Sequence, residues 1–545
     1  MADQSESVFI RKSTGLVREA TFFDALIFNL ACASSLTAGL SVGLFWAFSV
    51  YPQTNIILAL VLAPVLCIGV YVTWGMLSAA VPRAGGDYTW ISRLVNPLLG
   101  WVSSFCTFWS NTFALVWWAM AVTSVALVPT FFIWGSLTGS EAMLNLGETL
   151  TQPGPSLVVG IIFIAVVGLV SAWGLKKSLI VENISYIIAF VGLGLALIVM
   201  LTTTQAQFVD QFNAFAESYT GIADSYNHVV EVAQENGLVT AAQAGFSGSQ
   251  TVKTLYITFL LVIWTFGSAY LSGEMKGANS SRRQVLSMLG AGFIEMALVA
   301  LATWLFFRTT GYEFFSSLNF LHDSVPAEYP FPGPPFYSLL SSIIADTPLI
   351  RAIIVFSIIG TAFPGAYILL SINIRVMFAW AFDGLMPFKL AEVNERTHSP
   401  VVAIVVNCVV WLLLLFWAIF ASAGFFQVWS LIALFGFIYI GLVGLAGALF
   451  PFTQTKLYEN SPAKFEILGI PLITIAGVLD MAVCIFAAVL LLTSPELLGG
   501  PGVLQVFLTT AAGIAIAVVL FFIIKAIRAS QGIDLDLVYK EIPPE

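Results

Sequence analysis

WTFGSAYLSGEMK, residues 264–276, begins as the end of a membrane helix and stops being one within a few residues. The apolar run Leu255 to Ile263 leads into it, and Thr265, Gly267, Ser268, Ser272 and Gly273 follow before the charged Glu274 and Lys276. Glycine costs a helix interior roughly 1 kcal/mol relative to alanine, and small hydroxyl residues compete for the backbone's hydrogen bonds. At bilayer depth, unpaired backbone is tolerated only where it lines a protein cavity. The stretch therefore reads as a broken helix at a binding site. A small-residue face packed on a neighbouring helix is the competing use of the same residues.

The rest of the chain supplies the membrane. Of 545 residues, 59% are hydrophobic and 9% charged, and the mean hydropathy is +0.94. Soluble domains carry about 25% charged residues, so this is a polytopic membrane protein. No charged residue lies between Asp24 and Arg83, enough for two crossings at about 20 residues each. The polar start, MADQSESVFIRKSTGLVREA, has no apolar core before a cleavage site and is not expected to be a signal peptide. All five cysteines fall in apolar runs with no CxxC pair, so neither disulfides nor thiolate metal sites are expected. His228, His322 and His398 lie far apart in predicted loops. A net charge of -9 argues against nucleic acid as a partner.

Apolar runs predict twelve spans, at about 22–50, 55–81, 98–128, 156–175, 180–203, 253–273, 285–307, 349–376, 400–422, 426–451, 467–493 and 503–526. Charge placement tests the count. With the N-terminus inside, all but Lys253, Arg308 and Arg351 of the 21 basic residues fall in cytoplasmic segments, and those three edge the outer ends of spans. A wrong count would scramble this bias, so both termini are expected in the cytoplasm. Residues 1–21 then form a cytoplasmic segment, 22–451 a ten-helix core, 452–528 two additional spans and 529–545 a tail expected to be disordered. Two long external loops, about 204–252 and 309–348, read as solvated connectors or as short helices over a vestibule. The first is acidic and the second carries PAEYPFPGPP.

Transporters built from inverted repeats place their site where matching helices of the two halves are interrupted. If the halves are about 22–203 and 253–451, span 6 corresponds to span 1, FFDALIFNLACASSLTAGLSVGLFW. Its centre contains Asn29, Ser34, Ser35, Thr37 and Gly39, a second polar interruption at the matching place. Broken ends present free N–H groups to a carboxylate and free carbonyls to an ammonium or metal cation, so a zwitterionic amino acid suits them. The expected substrate-binding residues are Ser34, Ser35, Thr37, Trp264, Phe266, Gly267 and Ser268. The two aromatics would cover the ligand or face its ammonium; packing against lipid or core is their other use.

Four stretches now carry a resemblance. PRAGGDYTWISRLVNPLLGW (82–101) resembles the P-x-x-G-G-x-Y motif of the amino acid–polyamine–organocation superfamily. GEMKGANSSRR (273–283), RVMFAWAFDGLMP (375–387) and VNERTHSPVVA (393–403) resemble its segments at the ends of spans 6 and 8 and entering span 9. The resemblance implies an all-α fold with a LeuT-type five-plus-five inverted repeat plus two extra helices, moving amino acids or related amines by alternating access. There are departures. Ser35-Leu36-Thr37 stands where the family has Gly-x-Gly, and Gly277-Ala278 where it has Asn-Pro. Ala189 aligns with a span 5 lysine that replaces a sodium ion in some proton-coupled members. That leaves room for sodium held by Ser34, Thr361 and span 1 carbonyls, for a proton on another acid, or for exchange without an ion.

Two acids lie inside apolar runs, at about 2.5–3.5 kcal/mol each if ionised and unpaired there. Glu295 in span 7 is the proton-coupling candidate and the acid expected in the core, while Asp480 in span 11 suits a structural role. Arg83, Arg375 and Asp383 fall in the cytoplasmic motifs, where an ion network would close an inner gate. The expectation is a plasma-membrane amino-acid transporter with no resident cofactor, its partners the substrate and the lipid bilayer. A polyamine or organic-cation carrier is the alternative, but it would want a concentrated acidic pocket. A non-transporting sensor or scaffold would want a large cytosolic domain. No Ser/His/Asp set, metal cluster or phosphate loop suggests an enzyme. Oligomeric state leaves no mark in the sequence.

Overall fold

The computed structural model describes residues 18–33, 39–40, 43–331, 333–421, 425–498 and 502–540. Eleven of the helices there are long and apolar enough to cross a bilayer: Ile56–Ala80, Pro97–Thr138, Pro153–Ala172, Leu175–Thr202, Gly248–Glu274, Ser281–Thr310, Pro348–Phe382, Val401–Phe420, Ser430–Thr453, Leu472–Thr493 and Val503–Ser530. They are spans 2 to 12. Span 1 comprises two helical pieces, Phe22–Ala33 and Leu44–Val50. The all-α, twelve-span expectation therefore holds.

Each span's pattern follows from what it faces. Span 5 turns Ile180, Ile184, Ile187, Ile188 and Val191 outward, where lipid would cover them. Its other face buries Ser178, Glu182, Ala189 and Gly192. Gly192 and Gly360 bring spans 5 and 8 together: a Cβ on Gly360 would lie 2.7 Å from the Ser185 carbonyl oxygen. Spans 10 and 11 meet through Gly444 and Gly477 in the same way. Small residues substitute for a hydrophobic driving force that lipid cannot supply.

Span 3 and the tail differ from the sequence reading, and the long external loops take the helical of its two alternatives. Span 3 continues beyond the predicted end at 128, because residues 122–127 widen into a π-turn and Pro129 starts the next helical stretch, where its missing N–H costs little. Span 8 has a matching irregularity, a 3₁₀ turn at Ile358–Thr361. The long loops are helical, at Gln205–Thr220, Ser225–Glu235, Tyr312–Ser324 and Tyr337–Ile343. A Thr204–Gln207 capping box starts the first, and an aromatic layer including Tyr226 stacked on Phe314 at 4.3 Å joins them. The tail, expected to be disordered, forms a short helix at Leu535–Val538. Leu535, Val538 and Tyr539 are buried, and Lys525 holds Asp536 at 2.8 Å. Three apolar anchors within five residues suffice to dock it.

Candidate functional site at the broken helices

The α-helix of span 6 ends at Val262, and a 3₁₀ segment begins at Gly267. The turn between them strands backbone groups that neighbours must satisfy. The Val262 carbonyl accepts from the Tyr71 hydroxyl of span 2 at 3.2 Å and from Thr265 Oγ1 at 3.1 Å. On the other side, the Ser268 N–H donates to Asn29 Oδ1 of span 1 at 2.8 Å. Asn29 Nδ2 reaches Ser287 Oγ of span 7 at 3.4 Å, so one buried side chain links three spans. Sequence reasoning noted Asn29 as a polar interruption without seeing that it caps the other break. The Ser268 hydroxyl is fully buried and has no hydrogen-bond partner among the described residues.

Asn29→Ala would leave the Ser268 N–H without its acceptor, a loss of about 1–3 kcal/mol for a buried donor. We expect a lower thermal midpoint for the purified protein, with weaker ligand stabilisation on top of it. An unchanged midpoint would mean that water replaces the amide and that Asn29 does not hold the junction.

The other predicted residues pack as follows. Phe266 is buried and stacks on Trp74 at 3.9 Å. Trp264 is partly buried, its ring lying where a Cβ on Gly436 of span 10 would stand. A Cβ on Gly267 would come within 3.0 Å of Cys32 Sγ and 3.2 Å of Phe28, so span 1 itself lies against the break there. Ser34, Ser35 and Thr37 lie outside the described residues.

The first and last described residues lie at one end of the bundle, the termini-bearing end, and that end is fastened. Glu19 and Ala20 donate backbone N–H groups to the Glu274 carbonyl, and Lys276 N–H returns to Ala20. The loop after span 2 explains the double glycine of its motif. Gly85 and Gly86 have φ of 97° and 48°, and side chains there would strike Ala379 and the Tyr270 ring. This close approach sets Asp87 beneath span 6. Its carboxylate accepts from Tyr270 at 2.9 Å, Ser103 at 2.6 Å and Thr107 at 3.0 Å.

Burial pushes the Asp87 carboxyl up to about 6, against the pull of those hydroxyl donors. A raised value means that the fold favours the protonated form. The stabilising contribution is complete below the ordinary 3.8 and fades as pH rises through about 6. Relative to Asp87→Asn, the wild type is therefore expected to gain thermal stability as pH falls from about 8 to about 5. Parallel midpoint-against-pH curves would show that Asp87 does not titrate in this window.

Two buried ion pairs lie in the same layer. Arg93 Nη2 meets Asp383 Oδ2 at 2.5 Å, and the Tyr88 hydroxyl donates to the same oxygen at 2.8 Å. Arg375 Nε meets Glu274 Oε1 at 2.6 Å. The expected network of Arg83, Arg375 and Asp383 is thus two separate pairs, whose partners Arg93 and Glu274 were not assigned from the sequence. Arg83 is partly buried; burial and nearby Arg18 lower its pKa, and its backbone carbonyl takes the Ser272 hydroxyl at 3.2 Å. The tail closes over the first pair: Tyr539's ring lies 5.3 Å from the Arg93 guanidinium carbon, and its hydroxyl lies 3.5 Å from that of Tyr88.

Glu295 is fully buried in span 7, within electrostatic reach of Cys32. Glu182 of span 5 is also fully buried, and it corrects the expectation that Glu295 is the core's acid. Five residues after Lys177 and near a predicted span edge, it reads in sequence as a boundary charge. Thr361 is buried in the span 8 turn and donates its hydroxyl to the Ile358 carbonyl at 2.8 Å. Gly360 beside it rests on Ser185 and Ala189, so position 189 does lie next to the span 8 turn. Asp480 is buried between spans 10 and 11 beside Gly444, with Cys484 Sγ 3.6 Å away. A small cleft opens at the termini-bearing end, lined by residues including Glu274, Tyr367, Arg375 and His398. It lies beside the second ion pair rather than at the break.

The family model described as "Amino acid permease" matches residues 25–524, nearly the whole chain. No curated protein matches it.

Proposed function

Because the chain belongs to the amino acid permease family, we propose that it is a secondary active transporter that moves amino acids by alternating access around the span 1 and span 6 breaks. The observation that carries this reading is the buried Ser268: its N–H is held by Asn29 of span 1, and its hydroxyl has no partner among the described residues. A ligand carboxylate or ammonium binding there would exchange hydrogen bonds with groups already placed by two helices. The ion pairs Arg93–Asp383 and Arg375–Glu274, with Tyr539 over the first, supply the gate at the termini-bearing end. The basic-residue bias supports the cytoplasm for that end.

The coupling ion is part of the proposal. A sodium ion would take oxygens from Ser34, Thr361 and span 1 carbonyls. A proton would sit on a buried acid, and Glu295 and Glu182 support this reading. The same two acids favour one second substrate class, an amine lacking a carboxylate. Uptake of a labelled panel of amino acids and diamines into proteoliposomes tests all of this, with a sodium gradient alone and a pH gradient alone. Amino-acid uptake is expected. Uptake of diamines only would reverse the substrate assignment, and no uptake of any panel member would overturn the transporter reading.

A further inference from the structure

We propose that Glu182 of span 5 carries the coupling proton, receiving it from the cleft at the termini-bearing end and releasing it toward the span 6 break. This rests on the transporter reading and extends it to a residue that the family motifs do not mark. Glu182 is fully buried, and neither carboxylate oxygen has a hydrogen-bond partner among the described residues. A buried carboxylate is ordinarily surrounded by donors. One with none exchanges a proton with a group that arrives, which is what a carrier between two sides requires.

The surroundings give the proton a route. Leu175, Ser178, Glu182, Tyr186 and Ala189 recur at helical spacing along one face of span 5. The cleft is lined by Leu175 and Tyr367 at the start of that face. Tyr367 of span 8 is buried there. One turn further in, the Tyr186 hydroxyl is buried and has no partner among the described residues. Cys32 of span 1 lies against Gly267 at the break. Glu182 and Tyr186 therefore follow one another inward from the cleft along the buried face of span 5.

The titratable groups on the elements packed against this part of span 5 are Asp24 and Cys32 of span 1, Glu295 of span 7, and Tyr367 and Arg375 of span 8. Span 4 adds no titratable side chain, and Tyr337, Arg308 and Arg351 lie toward the opposite end of span 5. Arg375, the cation among the nearer groups, is committed to Glu274 at 2.6 Å. The step balances simply: the carboxylate takes one proton from water in the cleft, the loaded carrier reorients, and the proton leaves to water on the other side with no bond change in the substrate.

Three measurements on the full-length protein in proteoliposomes test the proposal, using whichever labelled amino acid the panel identifies. They are accumulation driven by a pH gradient alone, counterflow exchange at equal pH, and the pH dependence of substrate affinity. One proton per cycle across one pH unit sustains about tenfold accumulation. Glu182→Gln is expected to lose that accumulation, keep counterflow and flatten the affinity profile. Glu182→Asp, which restores a carboxyl group, is expected to regain part of the accumulation. Wild-type accumulation retained in Glu182→Gln would overturn the assignment while leaving the transporter reading intact. So would loss of counterflow along with accumulation in a variant that keeps the wild-type thermal midpoint, since Glu182 would then contact substrate. Wild-type uptake indifferent to a pH gradient would also overturn it. Absence of uptake in the wild type would instead defeat the transporter reading itself.

Discussion

Asp383→Ala is expected to destabilise the protein by about 3–5 kcal/mol and to abolish net transport, because it leaves the Arg93 guanidinium buried without its counter-ion. Both side chains are almost fully covered, at 4% and 2% exposure, so solvent cannot take over the pairing. Tyr88 loses its acceptor in the same substitution. A fluorescence-detected melt and an uptake assay read the two effects. Replacing both partners, Arg93→Leu with Asp383→Leu, removes the stranded charge and is expected to recover most of the stability, since a buried pair is worth little against apolar packing. Transport should not return with it if the pair serves as a gate. A single Asp383→Ala variant that melts with the wild type would mean that Arg93 reaches water or another acid, and the pair would lose its assigned role.

Gly477→Leu is expected to prevent spans 10 and 11 from packing and to remove the folded protein from detergent extracts. A Cβ at Gly477 would stand 2.3 Å from the Gly444 carbonyl oxygen and 2.5 Å from the Ala448 nitrogen, both backbone atoms with no rotamer to escape into. Overpacking a side-chain core costs typically 1–3 kcal/mol, and here two helices must part along their whole contact. Gly194→Leu in span 5 is the control, because nothing lies within 4 Å of its Cβ position. Size-exclusion profiles of the two variants decide the matter; equal profiles would show that spans 10 and 11 tolerate separation.

The span count and the span 6 interruption were readable in the sequence because they are local properties. Apolar run length, the Gly/Ser/Thr cluster after Ile263 and the basic bias of alternate loops each depend on neighbours along the chain. The partners within the site were not readable in this way. Arg93 lies 290 residues from Asp383, and Arg375 lies 101 from Glu274. Both acids stand within motifs, yet nothing local says which arginine each will meet. Asn29 was noticed for its polarity, but its role depends on a turn 239 residues away. Glu182 was overlooked because a single acid near a span edge looks the same whether it faces headgroups or the bundle, and only packing against spans 1, 7 and 8 distinguishes these.

The docked tail also sets an order of assembly. Tyr88 precedes Tyr539 by 451 residues, which at ordinary elongation rates is on the order of 20–90 s of synthesis. For that interval Arg93 and Tyr88 are already inserted while the ring that will cover them has yet to be made. The nascent chain thus passes through a stage in which the Arg93–Asp383 pair can form while the ring that covers it is still to be made.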